Sequence, residues 1–191
     1  MEKIVRNGEF SDVEEKVLYW FFSFPTAEMG LSDLASVLKI SKLTASIVVR
    51  RLVKEEFLRL KVYGKAWSIT SNVNHPAYAL RKIPYTLNAV NEIYYRVLRK
   101  EILNKVGYAK SIILFGSYRK GDDTEKSDLD IAVEVSEDKQ MRIVHLGNIN
   151  IGYRKNVPVN LYIFNRNKID LNLFANIANG IVLEGFLEVR P

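Results

Sequence analysis

The sequence predicts an α+β protein in which a small helical module is followed by a compact sheet with flanking helices. Apolar residues recur at helical spacing through most of the chain up to about residue 107, and one basic segment alternates around a turn. Beyond residue 107, short apolar runs typical of strands alternate with helical segments. With 191 residues, 48% of them hydrophobic, the chain is long enough for two small domains. The predicted boundaries are 1–72 for the first domain, 73–107 for a connector helix and 108–191 for the second domain.

The composition excludes several classes of site. The chain has no cysteine, which rules out disulfides, thiolate zinc sites and thiol nucleophiles. Its two histidines, His75 and His145, lie far apart in sequence, which disfavours a metal site built from histidine. The longest apolar stretch near the N-terminus, residues 17–24, is too short to span a bilayer. We therefore expect a cytoplasmic protein without a membrane partner.

Three helices are predicted at the start of the chain from their capping residues. Ser11 and Glu14 form a capping-box pattern, in which each side chain bonds the other residue's backbone N–H. The first helix is expected to start at Asp12, after its cap Ser11, and to stop before Pro25. Ser32 is expected to cap a second helix that ends at Leu38, and Ser41 a third that ends at about Glu56. A β-hairpin follows, because "FLRLKVYGKAWSIT" alternates on either side of Tyr63-Gly64-Lys65.

Positive charge is concentrated in this first domain. Between residues 39 and 65 there are eight basic residues and two acidic ones, an excess of six that equals the formal net charge of +6 of the whole chain. On the third helix, Lys42, Ser46 and Arg50 share one face, while Ala45 and Val48 lie on the apolar face. A local basic patch on one face predicts a polyanionic partner.

The order of helix, helix–turn–helix and basic hairpin resembles the winged helix-turn-helix family over residues 10–72. The resemblance implies that the third helix enters the major groove of double-stranded DNA and that the hairpin contacts backbone phosphate. The DNA-binding candidates are Lys42, Thr44, Ser46, Arg50 and Arg51 on the helix, and Lys61 and Lys65 on the hairpin. The alternative is a winged helix used for dimerisation, with a basic face that is simply solvated.

The connector, residues 73–107, has apolar residues at helical spacing with an interruption expected at Pro84. It is either a simple connector or the seam of a homodimer. Tyr94 and Tyr95 are expected to pack rather than to act chemically.

The most informative segment is "ILFGSYRKGDDTEKSDLDIAVEV", residues 112–134. A short buried strand, "SIILF", ends at Gly116-Ser117, where a helix begins; backbone N–H groups and a hydroxyl at such a turn are suited to phosphate. Asp128 and Asp130 are two residues apart on a strand, so both carboxylates point to the same face. Two carboxylates beside a phosphate-holding turn are suited to Mg²⁺ that bridges nucleotide phosphates, and their mutual repulsion favours a cation.

Gly116-Ser117, Gly121 and Ser127-Asp128-Leu129-Asp130 together resemble the nucleotidyltransferase superfamily that includes DNA polymerase β, and most closely its minimal members. The resemblance implies a small mixed β-sheet with flanking helices. It also implies that Gly116 and Ser117 hold a nucleoside triphosphate and that Asp128 and Asp130 ligate the metal. Nearby residues that would assist nucleotide binding are Arg119, Lys120 and Ser127. The whole chain resembles fusions in which a winged helix precedes such a domain.

The superfamily has a third carboxylate on the next strand, and here the expected position in "VPVNLYIF" holds Asn160. An amide oxygen can ligate a cation but cannot take a proton at neutral pH. Two functions stay open. One is Mg²⁺-dependent transfer of a nucleoside monophosphate to a hydroxyl of a protein or nucleic acid. The other is a transcriptional regulator whose degenerate catalytic domain senses nucleotide or binds a partner. Asn160 favours the second, although it is also compatible with a structural amide; Ser117, Asp128 and Asp130 favour the first.

The pattern from residue 111 to 187 is interpreted as strand, short helix, strand, helix, strand, helix, strand. The last helix is expected to end near Gly180, ahead of a closing strand.

Overall fold

The computed structural model describes residues 10–137 and 140–189. The chain divides into two compact units, Met1–Tyr78 and Ala79–Pro191, and each is described by itself.

The first unit combines three helices with a three-stranded antiparallel sheet in the order β1-β3-β2. Its elements are α1 (Asp12–Ser23), β1 (Glu28–Met29), α2 (Leu31–Leu38), α3 (Lys42–Lys54), β2 (Leu58–Tyr63) and β3 (Ala66–Ser71). The hairpin prediction is confirmed, because Tyr63 pairs with Ala66 across a two-residue turn, Gly64-Lys65. The core is formed by apolar side chains from all three helices and β3, among them Val17, Phe21, Leu34, Ala45, Leu52 and Ile69.

The capping predictions succeed at two helices and fail at one. The Ser11–Glu14 capping box is present at α1, and Ser41 caps α3 by accepting a hydrogen bond from the Thr44 backbone N–H at 3.0 Å. The prediction that Ser32 caps α2 is wrong: Gly30 occupies the cap, and the helix already includes Leu31, whose side chain is buried. Burial of Leu31 outweighs the local preference of a serine for the capping position.

In the second unit, a long helical stretch covers one face of the sheet. It consists of α4 (Tyr78–Ile93), a π-helical turn (Tyr94–Leu98) and α5 (Arg99–Val106). The predicted interruption at Pro84 is wrong, because α4 continues through this residue. A proline removes one hydrogen bond to the carbonyl four residues earlier, here that of Leu80, which lies on the exposed side of the helix. The irregularity lies instead at the π-helical turn.

The sheet of the second unit is mixed, as the resemblance implied. Its strands are β4 (Ser111–Phe115), β5 (Leu129–Glu134), β6 (Arg142–Ile151), β7 (Arg154–Phe164) and β8 (Ile181–Gly185), in the order β6-β7-β5-β4-β8. Only the β5–β7 pair is parallel among these neighbours. Two short helices, α6 (Gly116–Lys120) and α7 (Leu171–Ala178), and a 3-10 turn (Arg166–Lys168) complete the unit.

The prediction of a helix between β5 and β7 is wrong, because residues 142–151 form the strand β6. This strand makes an antiparallel hairpin with β7 and lies at the edge of the sheet. Its β-branched residues, Ile143, Val144, Ile149 and Ile151, suit a pleated surface that is only partly covered. Whether residues 142–151 form a helix or a strand is decided by their pairing with β7, which the local residue pattern does not show.

The two faces of the sheet pack against different helices. Ile112, Leu114, Ile131 and Val133 share a buried cluster with residues of α4 and α5. Ile113, Phe115, Ala132 and Phe164 form a second cluster with α7. Because side chains alternate along a strand, Asp130 lies on the same face as Ala132, which is the face that α7 covers. Within the described residues, no helix is both long and apolar enough to span a bilayer.

Candidate active site

Three polar side chains converge where β5 begins. Asp128 immediately precedes the strand, Asp130 is its second residue, and the buried Leu129 between them points the other way. Asp130 is paired in register with Asn160 of β7. The Asn160 Nδ2 donates to Asp128 Oδ2 at 3.0 Å and lies 3.4 Å from Asp130 Oδ1. Asn160 therefore lies on the same side of the sheet as both carboxylates.

Gly116 lies directly against this cluster. Its φ of +74° is in the left-handed region, which favours glycine. A Cβ atom at this position would lie 2.7 Å from Asp130 Oδ2, closer than non-bonded atoms approach each other. Both the backbone conformation and the space beside Asp130 therefore require a glycine. The β4–α6 turn is packed so closely that no side chain separates it from the carboxylate.

The other residues predicted to bind nucleotide are distributed around that turn. Ser117 and Arg119 are partly buried on α6, and Lys120 is exposed at its end. Ser127 has a local role: its hydroxyl accepts a hydrogen bond from the Thr124 backbone N–H at 2.9 Å, which closes the turn ahead of Asp128. The structure thus brings Ser117 and Arg119 to the turn, and uses Ser127 to shape the loop.

The electrostatics of the cluster favour a bound cation. Burial raises the pKa of Asp130, the hydrogen bond from Asn160 opposes that shift, and the negative charge of Asp128 adds to it. Among the described residues, no three His, Cys, Asp or Glu side chains group together as a complete protein metal site would require. A pair of carboxylates fits Mg²⁺, which is commonly held by one or two carboxylates together with substrate phosphates.

A buried ionic cluster supports the loop before Asp128, and the sequence analysis missed it. Lys82 of α4 lies 2.9 Å from Asp123 Oδ1, and both side chains are almost completely buried. Arg154 Nη2, from the start of β7, donates to the backbone carbonyls of Glu125 at 2.9 Å and Ser127 at 2.8 Å. Its Nη1 donates to the hydroxyl of Tyr118. The residues come from four separate segments, so no local spacing could have predicted the cluster.

Gly121, the remaining glycine of the predicted motif, has a packing role. It ends α6 with a φ of +76°. A Cβ atom there would lie 2.9 Å from the Ile83 side chain and 3.2 Å from the Ala79 carbonyl oxygen of α4. This glycine allows the end of α6 to pack tightly against α4.

In the first unit, the predicted DNA-binding residues differ in their exposure and in the side chains that they contact. Lys42, Lys61 and Lys65 are exposed. The Arg50 guanidinium lies 4.9 Å from the centre of the Trp67 ring, and Arg51 is 2.9 Å from the buried carboxylate of Glu14. Thr44 and Ser46 are partly buried, and the Thr44 hydroxyl lies 2.7 Å from that of Ser41. The outer face of α3 also carries two exposed apolar side chains, Leu43 and Ile47.

Comparison with known proteins bears on the second unit. Residues 96–178 match the family model of the nucleotidyltransferase domain, a range that contains the β4–α6 turn, both carboxylates and Asn160. The match places a nucleotidyltransferase domain at residues 96–178, within the second unit. A curated protein of Methanocaldococcus jannaschii, named as a candidate protein adenylyltransferase, is 48% identical over 52 residues. That alignment covers 27% of this chain and 50% of the relative, so the chain spans about half the length of the curated relative it matches.

Proposed function

We propose that the nucleotidyltransferase domain binds a Mg²⁺–nucleoside triphosphate and transfers the nucleoside monophosphate to a hydroxyl group of a macromolecular partner. The observation that carries this proposal is the convergence of Asp128, Asp130 and Asn160 in a half-buried acidic site. Gly116 lies directly beside this site, with no side chain between the turn and Asp130. Bound Mg²⁺ would neutralise the triphosphate charge there. Asp128 and Asp130 are the residues that would hold it.

The chain's own residues account for binding and orientation. The Ser117 hydroxyl and the cationic side chains of Arg119 and Lys120 are placed on the turn and helix that follow β4, where they can bind the triphosphate. Arg154 and Ser127 hold the loop that positions Asp128, so the carboxylates keep their orientation before a ligand binds. Preorganisation of this kind lowers the free-energy cost of assembling the reactive complex.

In the proposed reaction the acceptor hydroxyl oxygen forms a bond to the α-phosphorus. The bond from that phosphorus to the oxygen bridging the β-phosphate breaks, and pyrophosphate leaves. The hydroxyl proton must pass to a base, and the Asn160 amide cannot accept it. We therefore propose that the transfer is slow, or that the partner supplies the base. The relative named as a candidate protein adenylyltransferase supports adenylate as the transferred group and protein as the acceptor.

A second candidate function is a nucleotide sensor without turnover. Its support is the hydrogen bonding of Asn160, whose amide N–H groups face both carboxylates and partly compensate their charge. In this alternative the domain binds Mg²⁺–nucleotide, and the first unit acts as a transcriptional regulator.

The experiment that separates these functions combines two measurements on the full chain. The thermal midpoint is recorded with and without Mg²⁺–ATP, and transfer from ATP labelled at the α-phosphate is followed on proteins of a cell extract and on the chain itself. Label that requires Mg²⁺ and is lost in Asp128→Asn/Asp130→Asn supports the enzyme. Thermal stabilisation without label supports the sensor. Neither stabilisation nor label with any of the four nucleoside triphosphates would overturn both.

For the first unit we propose binding to double-stranded DNA by a winged helix, with α3 in the major groove and the β2–β3 hairpin on the backbone. Three exposed lysines on these elements, Lys42, Lys61 and Lys65, support the proposal. Affinity should fall with salt, with a log–log slope near −0.9 per phosphate neutralised. Replacing the three lysines with alanine should reduce affinity and flatten that slope, whereas Lys16→Ala, an exposed lysine of α1, serves as the control. Undetectable duplex binding at low salt would instead favour the dimerisation role.

Arg51 is a poor choice for testing DNA binding. Its guanidinium pairs with Glu14, which is only 2% exposed. Replacing Arg51 would leave a buried carboxylate without its counter-ion, so a loss of DNA binding could reflect a loss of stability.

A further inference from the structure

A row of side chains crosses the sheet at the level of the acidic site. Asp130 of β5 is paired in register with Asn160 of β7, and Asn160 is paired in register with His145 of β6. Residues directly opposite one another on neighbouring strands point to the same face of the sheet. The next pair agrees with this arrangement, because Val144 and Leu161 pack in the core on the other face. His145 therefore lies on the face that carries the acidic site, two strands away from Asp130.

His145 occupies a position that a macromolecular substrate can reach. β6 is an edge strand of the sheet, and His145 is exposed on it. Its ring forms no hydrogen bond or ion pair with the residues that the structure describes, so its nitrogens are available to a ligand. Directly opposite residues on antiparallel strands have Cβ atoms about 4.5–5.5 Å apart, which brings the imidazole beside the Asn160 amide.

The strand is irregular directly beyond His145. The pairing of β6 with β7 shifts between His145 and Gly147, so Leu146 is an extra residue in the strand. Gly147 has a φ of +105°, which favours glycine. Such bulges are common at sheet edges and next to active sites, where they redirect a side chain. The irregularity at this point is typical of a strand that presents a functional side chain.

We propose that His145 is a catalytic residue of the nucleotidyl transfer and that its imidazole accepts the proton of the attacking hydroxyl. The inference rests on the proposed transfer, and it finds within the chain a base that would otherwise come from the partner. The hydroxyl oxygen bonds to the α-phosphorus as its proton passes to a ring nitrogen of His145, and pyrophosphate leaves. The exposed imidazolium then releases the proton to water, which restores the neutral base.

The neighbouring side chains on this face are less suited to accept the proton. Asp128 and Asp130 are the proposed ligands of Mg²⁺, and a nearby cation favours the unprotonated form of a carboxylate. Tyr162 follows Asn160 on the same face of β7, but burial raises the pKa of its phenol, which keeps its proton at neutral pH. Asn160→Asp places a carboxylate one strand nearer to Asp130 than His145 is, so that variant is still expected to accelerate the transfer.

The test uses the full chain and follows transfer from ATP labelled at the α-phosphate to proteins of a cell extract, together with the thermal midpoint with and without Mg²⁺–ATP. His145→Gln keeps a polar side chain at an exposed strand position but cannot accept a proton, so the fold should tolerate it. Its transfer rate should fall about 10²- to 10⁴-fold, the usual contribution of a general base, while Mg²⁺–ATP stabilises it as it does wild type.

Two further variants show whether the lost function is that of a base. Ile143→Ala is the matched control, because Ile143 is an exposed residue on the same face of β6 that lies opposite Tyr162 instead of Asn160. It should transfer label at the wild-type rate. Imidazole added to His145→Ala supplies a diffusible base and should restore part of the transfer rate, whereas it should not restore Asp128→Asn/Asp130→Asn.

The outcomes separate this inference from the proposed function. Slower transfer with unchanged stabilisation in His145→Gln, together with rescue of His145→Ala by imidazole, supports it. Transfer at the wild-type rate in His145→Gln, a loss of its stabilisation by Mg²⁺–ATP, or a failure of imidazole to rescue His145→Ala overturns the assignment of His145 and leaves nucleotidyl transfer intact. If Mg²⁺–ATP stabilises wild type but no label is transferred, the proposed transfer fails and this inference fails with it.

Discussion

Two polar clusters lie near the start of β5, and they differ in charge balance. In the first, the Asp123 carboxylate lies 2.9 Å from Lys82 and 3.9 Å from Arg154, and all three side chains are buried. In the second, Asp128 and Asp130 share a neutral hydrogen-bond partner, the Asn160 amide. A buried charge with its counter-ions in place stabilises a particular loop conformation, whereas two carboxylates without a counter-ion provide a site for a cation.

The first cluster helps to position the second by a hydrogen bond to the backbone. Arg154 binds the carbonyl of Ser127, the residue immediately before Asp128. Burial raises the pKa of Asp123 and lowers that of Lys82, so each charge depends on its partner. The comparison shows that the number of charges does not distinguish a structural cluster from a ligand site; the distinction lies in whether the protein itself supplies the compensating charge.

The largest effect is expected when the acidic cluster gains a third carboxylate. Asn160→Asp replaces an amide by a nearly isosteric group that can accept the hydroxyl proton, and general-base assistance contributes about 10²- to 10⁴-fold in rate. We expect faster Mg²⁺-dependent transfer of labelled adenylate, together with a lower thermal midpoint without metal, because two hydrogen bonds become repulsive contacts. Asn148→Asp, which adds a carboxylate at an exposed position of β6, is the control. Transfer that is robust in wild type and unchanged in Asn160→Asp would show that the third carboxylate is not needed.

The next-largest effect is expected when a charge is removed from the first cluster, that of Asp123, Lys82 and Arg154. Asp123→Asn leaves Lys82, which is 1% exposed, without its counter-ion. Removing one partner of a buried ion pair costs about 3–5 kcal/mol of unfolding free energy. Urea unfolding of the variant and of Asp122→Asn, an exposed neighbour, measures the difference. A loss as small as that of Asp122→Asn would mean that the buried pair contributes little to stability.

The third prediction concerns removal of both carboxylate charges from the second cluster. Asp128→Asn/Asp130→Asn removes the repulsion between the carboxylates, so the thermal midpoint without metal should stay equal or rise, in contrast to Asp123→Asn. Wild type should be stabilised by Mg²⁺–ATP, by about 2.7 kcal/mol when the ligand is at 100 times its Kd, and the double variant should lose this gain. Ligand-induced stabilisation that survives in the double variant would place the nucleotide elsewhere.

The smallest effect concerns the partly exposed ion pair of Arg99 and Glu184. Hydrogen bonds from Arg99 at 2.7 Å and from the Tyr94 hydroxyl at 2.8 Å lower the pKa of Glu184 below its ordinary value of 4.5. The ionised form therefore stabilises the fold above pH 4.5, and this contribution is lost as the pH falls through the lowered pKa. The thermal midpoint of Tyr94→Phe should be below that of wild type at neutral pH and should approach it in acid. A difference that is constant with pH would attribute the effect to packing instead.

Sequence patterns predicted those features that depend on neighbouring residues. The capping box at Ser11, the buried strand of residues 111–115 and the turn at Gly116 are set by local propensity and by the alternation of side chains. The two aspartates were placed on one face by their spacing alone. The same reasoning failed where distant contacts outweigh local preference: at Ser32, where Leu31 is buried; at Pro84, where α4 continues; and at β6, which pairs with β7.

The sequence by itself determined that an acidic pair follows a Gly-Ser turn and that the third position of the site is an asparagine. Only the tertiary structure decided that Asn160 contacts both carboxylates, since its position in register with Asp130 depends on the parallel pairing of β5 and β7. It also brought Lys82 to Asp123, 41 positions away in the chain. Local spacing orients side chains within one element, but the distance between elements is set by the packing of the core, which no short segment of sequence encodes.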